Sequence, residues 1–158
     1  MSKTNNAKKA GVGLALACAV AAPFEGFRNW AYSDPVGIPT ACFGTTKGVK
    51  LGQHYTDEQC HDLLNKEMTE AVDAVIRCVP HDMTENQIAA FGSAVYNIGP
   101  KLVCDQRSST AARLLASGQV IEACEQLTRW DKATKAGVLI TLPGLTRRRV
   151  AERDLCRS

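Results

Sequence analysis

The sequence predicts an α+β fold in which a small β-hairpin lobe is joined by a long helix to a larger helical lobe. Residues 31–52 combine Gly and Pro turn signals with short apolar pieces, which is typical of an irregular β-hairpin region. From Thr56 onward, apolar residues recur instead at the 3.6-residue period of an amphipathic helix. We therefore expect a cleft between the two lobes.

The helical region divides into five predicted helices. The first two begin with Thr-x-x-Gln capping boxes, and the last contains several arginines. Residues 131–143 are expected to form a loop. The predicted helices run from Thr56 to before Pro80, from Thr84 to Gly99, from Ser108 or Ser109 to Gly118, over about 119–130, and from Pro143-Gly144 onward.

The composition is that of one globular domain. The 158 residues are 45% hydrophobic and 22% charged, which excludes a disordered chain, a collagen-like repeat and a protein with several membrane spans. The net charge of +3 suits an anionic partner such as cell wall, lipid headgroups or nucleic acid, without selecting among them.

The seven cysteines, which include no C-x-x-C pair, predict disulfides in an oxidising compartment. The odd count leaves at least one thiol without an intramolecular partner. The three histidines have no acidic or cysteine neighbours at ligand spacing, so we expect no metal site and no cofactor.

Residues 10–24 form an uncharged, mostly small apolar run behind three lysines, the pattern of an export or membrane-insertion signal. Three interpretations remain open: a signal peptide cleaved near Ala21, a reversible anchor and an ordinary soluble helix. A permanent span fits poorly, because 15 residues reach only about 22 Å of a roughly 30 Å hydrocarbon core. The uncleaved anchor is favoured because cleavage would leave Glu25, the first candidate catalytic residue, on a frayed stub.

Glu25, Asp34 and Thr40 are candidate catalytic residues. Splitting a glycosidic bond needs an acid for the leaving oxygen and a second group, on the other face, that activates water or stabilises the oxocarbenium ion. Glu25 at the end of the apolar segment and Asp34 in the hairpin region can flank a cleft in this way, and the Thr40 hydroxyl can orient the water. We expect Glu25 to pack beside the aromatic residues close to it in sequence. The spacing of these three residues also arises by chance in many proteins, so by itself it does not identify a glycosidase.

The stretch E25-G-F-R-N-W-A-Y-S-D34-P-V-G-I-P-T40-A-C resembles the catalytic signature of the phage-type lysozymes (endolysins) of glycoside hydrolase family 24. The similarity continues with Tyr96-Asn97-Ile98-Gly99, Leu127-x-x-Trp130 and G144-L-x-x-R148-R149-x-x-E152. The resemblance implies a lysozyme-like fold and a muramidase, with residues 25–158 as the catalytic domain. This enzyme would hydrolyse the β-1,4 bond between N-acetylmuramic acid and N-acetylglucosamine in peptidoglycan.

The resemblance also implies roles for single residues. Glu25 would be the proton donor, and Asp34 and Thr40 would hold the attacking water. Tyr96 and Asn97 match positions that line the sugar cleft, although Tyr96 can equally be a core aromatic. Arg148 would pair with Glu25. In the alternative interpretation there is no such pair, and arginines 147–149 form a solvated basic helix face.

One departure from the family concerns Phe43-Gly44-Thr45, where many members carry His-Gly-His. The hydrogen bonds of those histidines must be replaced in this chain.

The basic-apolar start resembles the signal-anchor-release segment of some endolysins, which implies that residues 1–24 are such a segment. The host export machinery would then insert the chain, and residues 10–24 would hold it inactive at the host inner membrane. On depolarisation it would be released into the periplasm, where the same residues become the helix that delivers Glu25 to the cleft. We expect a monomer that does not bind nucleic acid.

For the cysteines, Cys124 and Cys156 lie at family-like positions and are the best disulfide candidates. Cys78 with Cys104 and Cys42 with Cys60 are further candidates, although sequence does not fix connectivity. Cys18 then remains, either as a small apolar residue or as a regulatory thiol that exchanges with a disulfide near Cys42 after release.

Three other functions are weighed against hydrolysis. A lytic transglycosylase would need only one glutamate, so Asp34 and Thr40 favour hydrolysis. A membrane-tethered, non-catalytic peptidoglycan-binding protein is the second alternative. A nucleic-acid binder that uses the arginines near 147–153 lacks any recognition motif.

Overall fold

The computed structural model describes the backbone of residues 2–158 and the side chains from residue 5 onward. Met1 and the side chain of Lys3 belong to the expected anchor segment and lie outside the described residues. Short 3-10 turns follow α1 and α6, at Ala22–Phe24 and Leu127–Arg129. The elements are α1 (Ser2–Ala21), β1 (Arg28–Ser33), β2 (Pro39–Cys42), α2 (Asp57–Cys78), α3 (Glu85–Ile98), α4 (Lys101–Cys104), α5 (Thr110–Ala116), α6 (Val120–Gln126), β3 (Lys132–Lys135), β4 (Val138–Thr141) and α7 (Pro143–Arg157).

The small lobe is built on the antiparallel pair of β1 and β2. Tyr32 lies opposite Thr40, and the register shifts between Arg28 and Tyr32, where the ladder is irregular. The expected hairpin region is thus confirmed, and its first strand begins a few residues before the predicted limit. The hairpin carries Asp34 at the end of β1 and Thr40 on β2.

The helical lobe is organised around α3, which is buried on nearly every side. Both predicted capping boxes are present: the Thr56 side chain accepts from the Gln59 amide, and that of Thr84 accepts from the Gln87 amide. These caps satisfy amides that the first turn of a helix leaves unpaired. The apolar faces of α1, α2 and α7 pack around α3, and together they fix the position of the site residues.

The apolar N-terminal segment is a helix that packs against α3 and α2 through its small residues. Gly13, Ala17 and Ala21 form its buried face. A Cβ at Gly13 would lie 2.7 Å from Cγ2 of Ile88, so only glycine allows this approach. At the N-terminal end, the buried Asn6 side chain donates to the His81 carbonyl and accepts from the Met83 amide. The same segment, Asn5–Phe24, is long and apolar enough to cross a membrane by length and composition, with a mean hydropathy of 1.3.

Three disulfides tie the elements together, and they are the three pairs suggested for the sequence. Cys42–Cys60 joins the hairpin to α2, Cys78–Cys104 joins α2 to α4, and Cys124–Cys156 joins α6 to α7. Cys18 is a free, half-buried thiol on α1 whose Sγ lies 3.5 Å from Oδ1 of Asn65.

The prediction of a loop over residues 131–143 is wrong. β3 and β4 form an antiparallel hairpin in which Lys132 pairs with Thr141 and Lys135 with Val138. Its two turn residues, Ala136 and Gly137, have φ values of +50° and +79°. A tight hairpin turn of this kind usually carries Asn or Asp before Gly. Alanine at that place gives no turn signal, and the hairpin was therefore missed.

Candidate active site

Two cavities meet at Glu25. The larger has a volume of about 640 Å³ and is bounded by Glu25 and the segment that follows β2 on one side, and by α2 and α3 on the other. The second, of about 620 Å³, is bounded by residues 23–25 and the start of α7. Glu25 and Asn97 line both, so the carboxyl lies where the two cavities join. The larger cavity is lined by Glu25, Phe43, Gly44, Thr46, Lys47, Glu67, Glu70, Ala71, Ala74, Arg77, Val95, Tyr96, Asn97, Gly99 and Pro100.

Glu25 follows the 3-10 turn that ends α1, and its carboxylate forms an ion pair with Arg148 of α7. The expected packing of Glu25 beside Phe27 and Trp30 stays a prediction. Phe27 contacts the ring of Phe43, and Trp30, which is 63% exposed, contacts His54. The charged partner of the Glu25 carboxyl is thus the guanidinium of Arg148.

Arg148 and Arg149 are buried, so the expected solvated basic face is wrong for these two residues. The Nε of Arg148 donates to Glu152 at 3.1 Å, and that of Arg149 lies 3.1 Å from the other oxygen of the same carboxylate. The Ser93 hydroxyl also donates to Glu152, at 2.7 Å. Two carboxylates, the buried Glu152 one turn along α7 and the partly buried Glu25, thus compensate the two buried cations, as burial of charge requires. Arg147 is exposed, as expected.

Tyr96 and Asn97 lie at the C-terminal end of α3, next to Glu25. The Tyr96 hydroxyl donates to the Phe43 carbonyl at 3.2 Å, which ties α3 to the hairpin lobe. Burial and the carboxylates of Glu25 and Glu67 raise the pKa of Tyr96, so its hydroxyl stays neutral and remains a donor. Asn97 is exposed to the cavities, and its Oδ1 accepts from Arg149 at 2.8 Å.

Asp34 and Thr40 lie on the hairpin and line neither cavity. One Asp34 oxygen, Oδ1, accepts from the amides of Val36 and Ile38 at 2.9 and 2.8 Å, and Oδ2 accepts no hydrogen bond from the described backbone or from the side chains of residues 5–158. The buried Thr40 hydroxyl donates to the Ile38 carbonyl at 3.0 Å. The structure therefore brings Glu25, Tyr96, Asn97 and Arg148 together, and the roles of Asp34 and Thr40 stay predictions.

Gly44 allows the hairpin lobe to approach the catalytic candidate closely. Its φ is +97°, and a Cβ at this position would lie 3.2 Å from Oε2 of Glu25. The next residue, Thr45, is buried, and its hydroxyl has no hydrogen-bond partner within the described residues. Thr45 stands where many family members have a histidine.

Sequence reasoning missed Glu67, which faces the larger cavity from α2. Burial raises its pKa, and the hydroxyls of Thr45 and Tyr96 partly oppose that rise. The cavity-lining residues of α2 share one helix face, as the helical period requires, but only the structure shows that this face lines the cavity. Within the described residues, no group of His, Cys, Asp and Glu could hold a metal ion.

Residues 22–152 match the family model described as phage lysozyme. The chain is 36% identical, over 146 residues, to the SAR-endolysin of Pseudomonas phage phiKMV, which covers 92% of this chain and 89% of that protein. Among solved structures, the endolysin of Escherichia coli O157:H7 phage FAHEc1 has a TM-score of 0.79 and 32% identity, with 89% of each chain covered. The active form of the P1 phage endolysin Lyz has a TM-score of 0.76 and 27% identity, with 89% of this chain and 82% of that chain covered.

Proposed function

The chain belongs to the phage lysozyme family, and from this membership we propose that it lyses peptidoglycan by hydrolysing the β-1,4 bond between N-acetylmuramic acid and N-acetylglucosamine. That it is a peptidoglycan-lysing endolysin and a lysozyme-type glycosidase follows from the family and from the endolysin relatives over most of the chain. The bond cleaved and the residue roles are our proposal. The observation that carries it is the Glu25 carboxyl at the junction of two cavities, in contact with Arg148.

In this proposal Glu25 protonates the leaving oxygen of the scissile bond. Arg148 holds the carboxyl in place and stabilises the carboxylate that forms once the proton has left. Asp34 and Thr40, on the hairpin, hold the water that attacks the opposite face of the sugar. Tyr96 and Asn97 contact sugars on either side of Glu25. Asp34 Oδ2, which accepts no hydrogen bond from the part of the chain whose side chains are described, can accept one from that water.

The N-terminal helix has two proposed positions. After insertion by the host export machinery, residues 10–24 cross the host inner membrane and hold the enzyme inactive. On release into the periplasm, the helix occupies the position seen here, where its end places Glu25 beside Arg148. The many small residues support this exchange, because Ala and Gly gain little from lipid and fit closely on α3. We propose that the released enzyme acts as a monomer.

Cys18 is the candidate regulatory thiol in this scheme. It is free in the structure, whereas Cys42 is bonded to Cys60. The proposal is that a non-native disulfide at Cys42 holds the tethered enzyme inactive. On release, the thiolate of Cys18 attacks Cys42 and displaces its partner as a thiolate, and the thiolate of Cys60 then attacks Cys42 and displaces Cys18, which forms Cys42–Cys60 and leaves Cys18 free. Replacing Cys18 by Ser tests this: lysis should be delayed or lost, and unchanged lysis would leave Cys18 as a small apolar residue.

Activity of Glu25→Gln on purified peptidoglycan tests the catalytic proposal. We expect loss of activity with retained fold, whereas Glu70→Gln, a cavity-lining control, should keep most activity. Products with reducing muramic ends support hydrolysis, and 1,6-anhydro ends would show transglycosylation instead. Normal clearing by Glu25→Gln would exclude Glu25 as the acid.

The membrane proposal has a separate test. Replacing residues 10–22 by a leucine-rich sequence of the same length should trap the chain in the membrane and prevent lysis. Lysis at the normal time would contradict the release mechanism.

A further inference from the structure

The two cavities that share Glu25 differ in charge. Apart from Glu25, the larger cavity contains two acidic and two basic side chains, Glu67 and Glu70 with Lys47 and Arg77, and they balance. The second cavity has no acidic lining residue other than Glu25. Its lining consists of Pro23, Phe24, Glu25, Asn97, Leu142, Pro143, Gly144, Leu145, Arg147 and Arg148.

Arg147 supplies the uncompensated positive charge of the second cavity. Arg148 is engaged by Glu25 and Glu152, so its charge is neutralised within the protein. Arg147, by contrast, is exposed and makes no hydrogen bond or ion pair with the part of the chain that the structure describes. Its Nη2 lies 3.9 Å from the place where a Cβ at Gly144 would stand, so the guanidinium reaches back over the first turn of α7.

The chemistry of the substrate offers one kind of group that suits this cation. The N-acetylated sugars of the glycan strand are uncharged, and the peptides attached to the lactyl groups of muramic acid carry the carboxylates. The scissile bond must lie at Glu25, so the strand extends into both cavities. Muramic acid is every second sugar, and a peptide therefore lies close to either side of the bond.

We propose that the second cavity binds this stem peptide and that Arg147 pairs with one of its carboxylates. Arg147 is then a specificity-determining residue that favours peptide-bearing strands over bare glycan. The inference rests on the proposed function, because it takes Glu25 as the residue at the scissile bond. The apolar lining from Phe24, Leu142 and Leu145 supplies contact surface for the peptide beside the cation. An exposed guanidinium acts mainly on binding, so the effect belongs in KM rather than in kcat.

The test compares two substrates made from one preparation of glycan strands, one with peptides intact and one in which an amidase has removed the peptides and the lactyl carboxylates so exposed have been converted to neutral methylamides. Initial rates are measured for the full-length enzyme and for Arg147→Gln, Arg147→Lys and Arg153→Gln. Arg153 is the matched control, because it lies on the same helix, lines neither cavity and pairs with Asp154 at 2.9 Å.

We expect Arg147→Gln to lower kcat/KM on peptide-bearing strands by about 5- to 10-fold, chiefly through KM, and to change the value on bare strands by less than about 2-fold. Arg147→Lys should recover part of the loss, and Arg153→Gln should behave as the parent enzyme on both substrates. Equal losses on both substrates would show that Arg147 acts through Glu25 and would overturn the proposal, as would no loss on either. Failure of the proposed function itself would appear differently, as full activity of Glu25→Gln.

Discussion

Glu25 and Arg148 form an ion pair although 123 residues separate them in the chain. Glu25 ends the segment that follows α1, and Arg148 lies on α7, so the contact exists only when the first and last helices both pack on α3. Two further acceptors fix the position of the Arg148 side chain, because it donates to Glu152 and to the Ser93 carbonyl. The correct position of the proposed acid is thus a property of the whole helical lobe.

We predict that Arg148→Gln lowers the free energy of unfolding by about 3 to 5 kcal/mol, because it leaves the buried Glu152 and the Glu25 carboxylate without this partner. Glu25→Gln should cost less, since the Glu25 side chain is 16% exposed and glutamine has nearly the same shape. Chemical denaturation of both variants measures which of them loses more free energy of unfolding. A loss of less than about 1 kcal/mol for Arg148→Gln would show that the network contributes little to stability.

The helical lobe was predictable from sequence because its signals are local. The two capping boxes and the apolar period of α2 lie within single segments, and both helices begin where the sequence indicated. The hairpin of β3 and β4 was not predictable in the same way, because Ala136 occupies a turn position with positive φ that usually carries Asn or Asp.

The site was partly predictable. Glu25, Tyr96, Asn97 and Arg148 were found through motifs, and the structure places them together. The burial of Arg149 was missed although its ion-pair partner Glu152 lies three residues away on the same helix, because a pair at this spacing also occurs on solvated helix faces. The groups that distinguish the buried arginines from solvated ones lie on other elements: Glu25 pairs with Arg148, and Asn97 accepts from Arg149.

We predict that Gly44→Ala lowers kcat by about 10- to 100-fold, because the new Cβ would lie 3.2 Å from Oε2 of Glu25 and displace either the loop or the carboxyl. Gly48→Ala is the matched control, since its φ of +72° is also positive but nothing lies within 4 Å of the added Cβ. Both variants should lose about 1 to 2 kcal/mol of stability from backbone strain. If kcat falls equally in both, strain rather than close approach is responsible.

A pH-dependent prediction concerns Glu67, whose pKa burial raises above its ordinary value of 4.5. The folded protein therefore holds this proton more tightly than the unfolded chain. The stability linked to it is fully present below pH 4.5 and is lost as the pH rises through the folded pKa. Glu67→Gln removes this loss, so its stability relative to the parent should be greater at pH 7 than at pH 4.

Urea unfolding at both pH values measures that difference, with Asp62→Asn, an exposed change on the same helix, as control. The prediction fails if the stability of Glu67→Gln relative to the parent decreases between pH 4 and pH 7. Such a decrease would mean that the ionised carboxylate is stabilised by the hydroxyls of Thr45 and Tyr96 more than it is destabilised by burial.

The last prediction concerns the contact between α1 and α3 at Gly13. A Cβ there would lie 2.7 Å from Cγ2 of Ile88, a fully buried side chain that has little room to move. At Gly11, two residues earlier on the same helix, an added Cβ meets nothing within 4 Å. Gly11→Ala should therefore stabilise the released protein by about 0.5 to 1 kcal/mol through helix propensity, whereas overpacking of about 1 to 3 kcal/mol opposes that gain in Gly13→Ala.

The pair of variants also separates docking from membrane affinity. Both add one methyl group to the apolar segment, so their effects on insertion into lipid should be alike, and only Gly13→Ala penalises the docked helix. If release is driven by packing on α3, more Gly13→Ala than Gly11→Ala should remain in the membrane fraction after depolarisation, and lysis should be slower. Equal release of the two variants, together with equal unfolding free energies, would show that the close approach of Gly13 to Ile88 does not drive release.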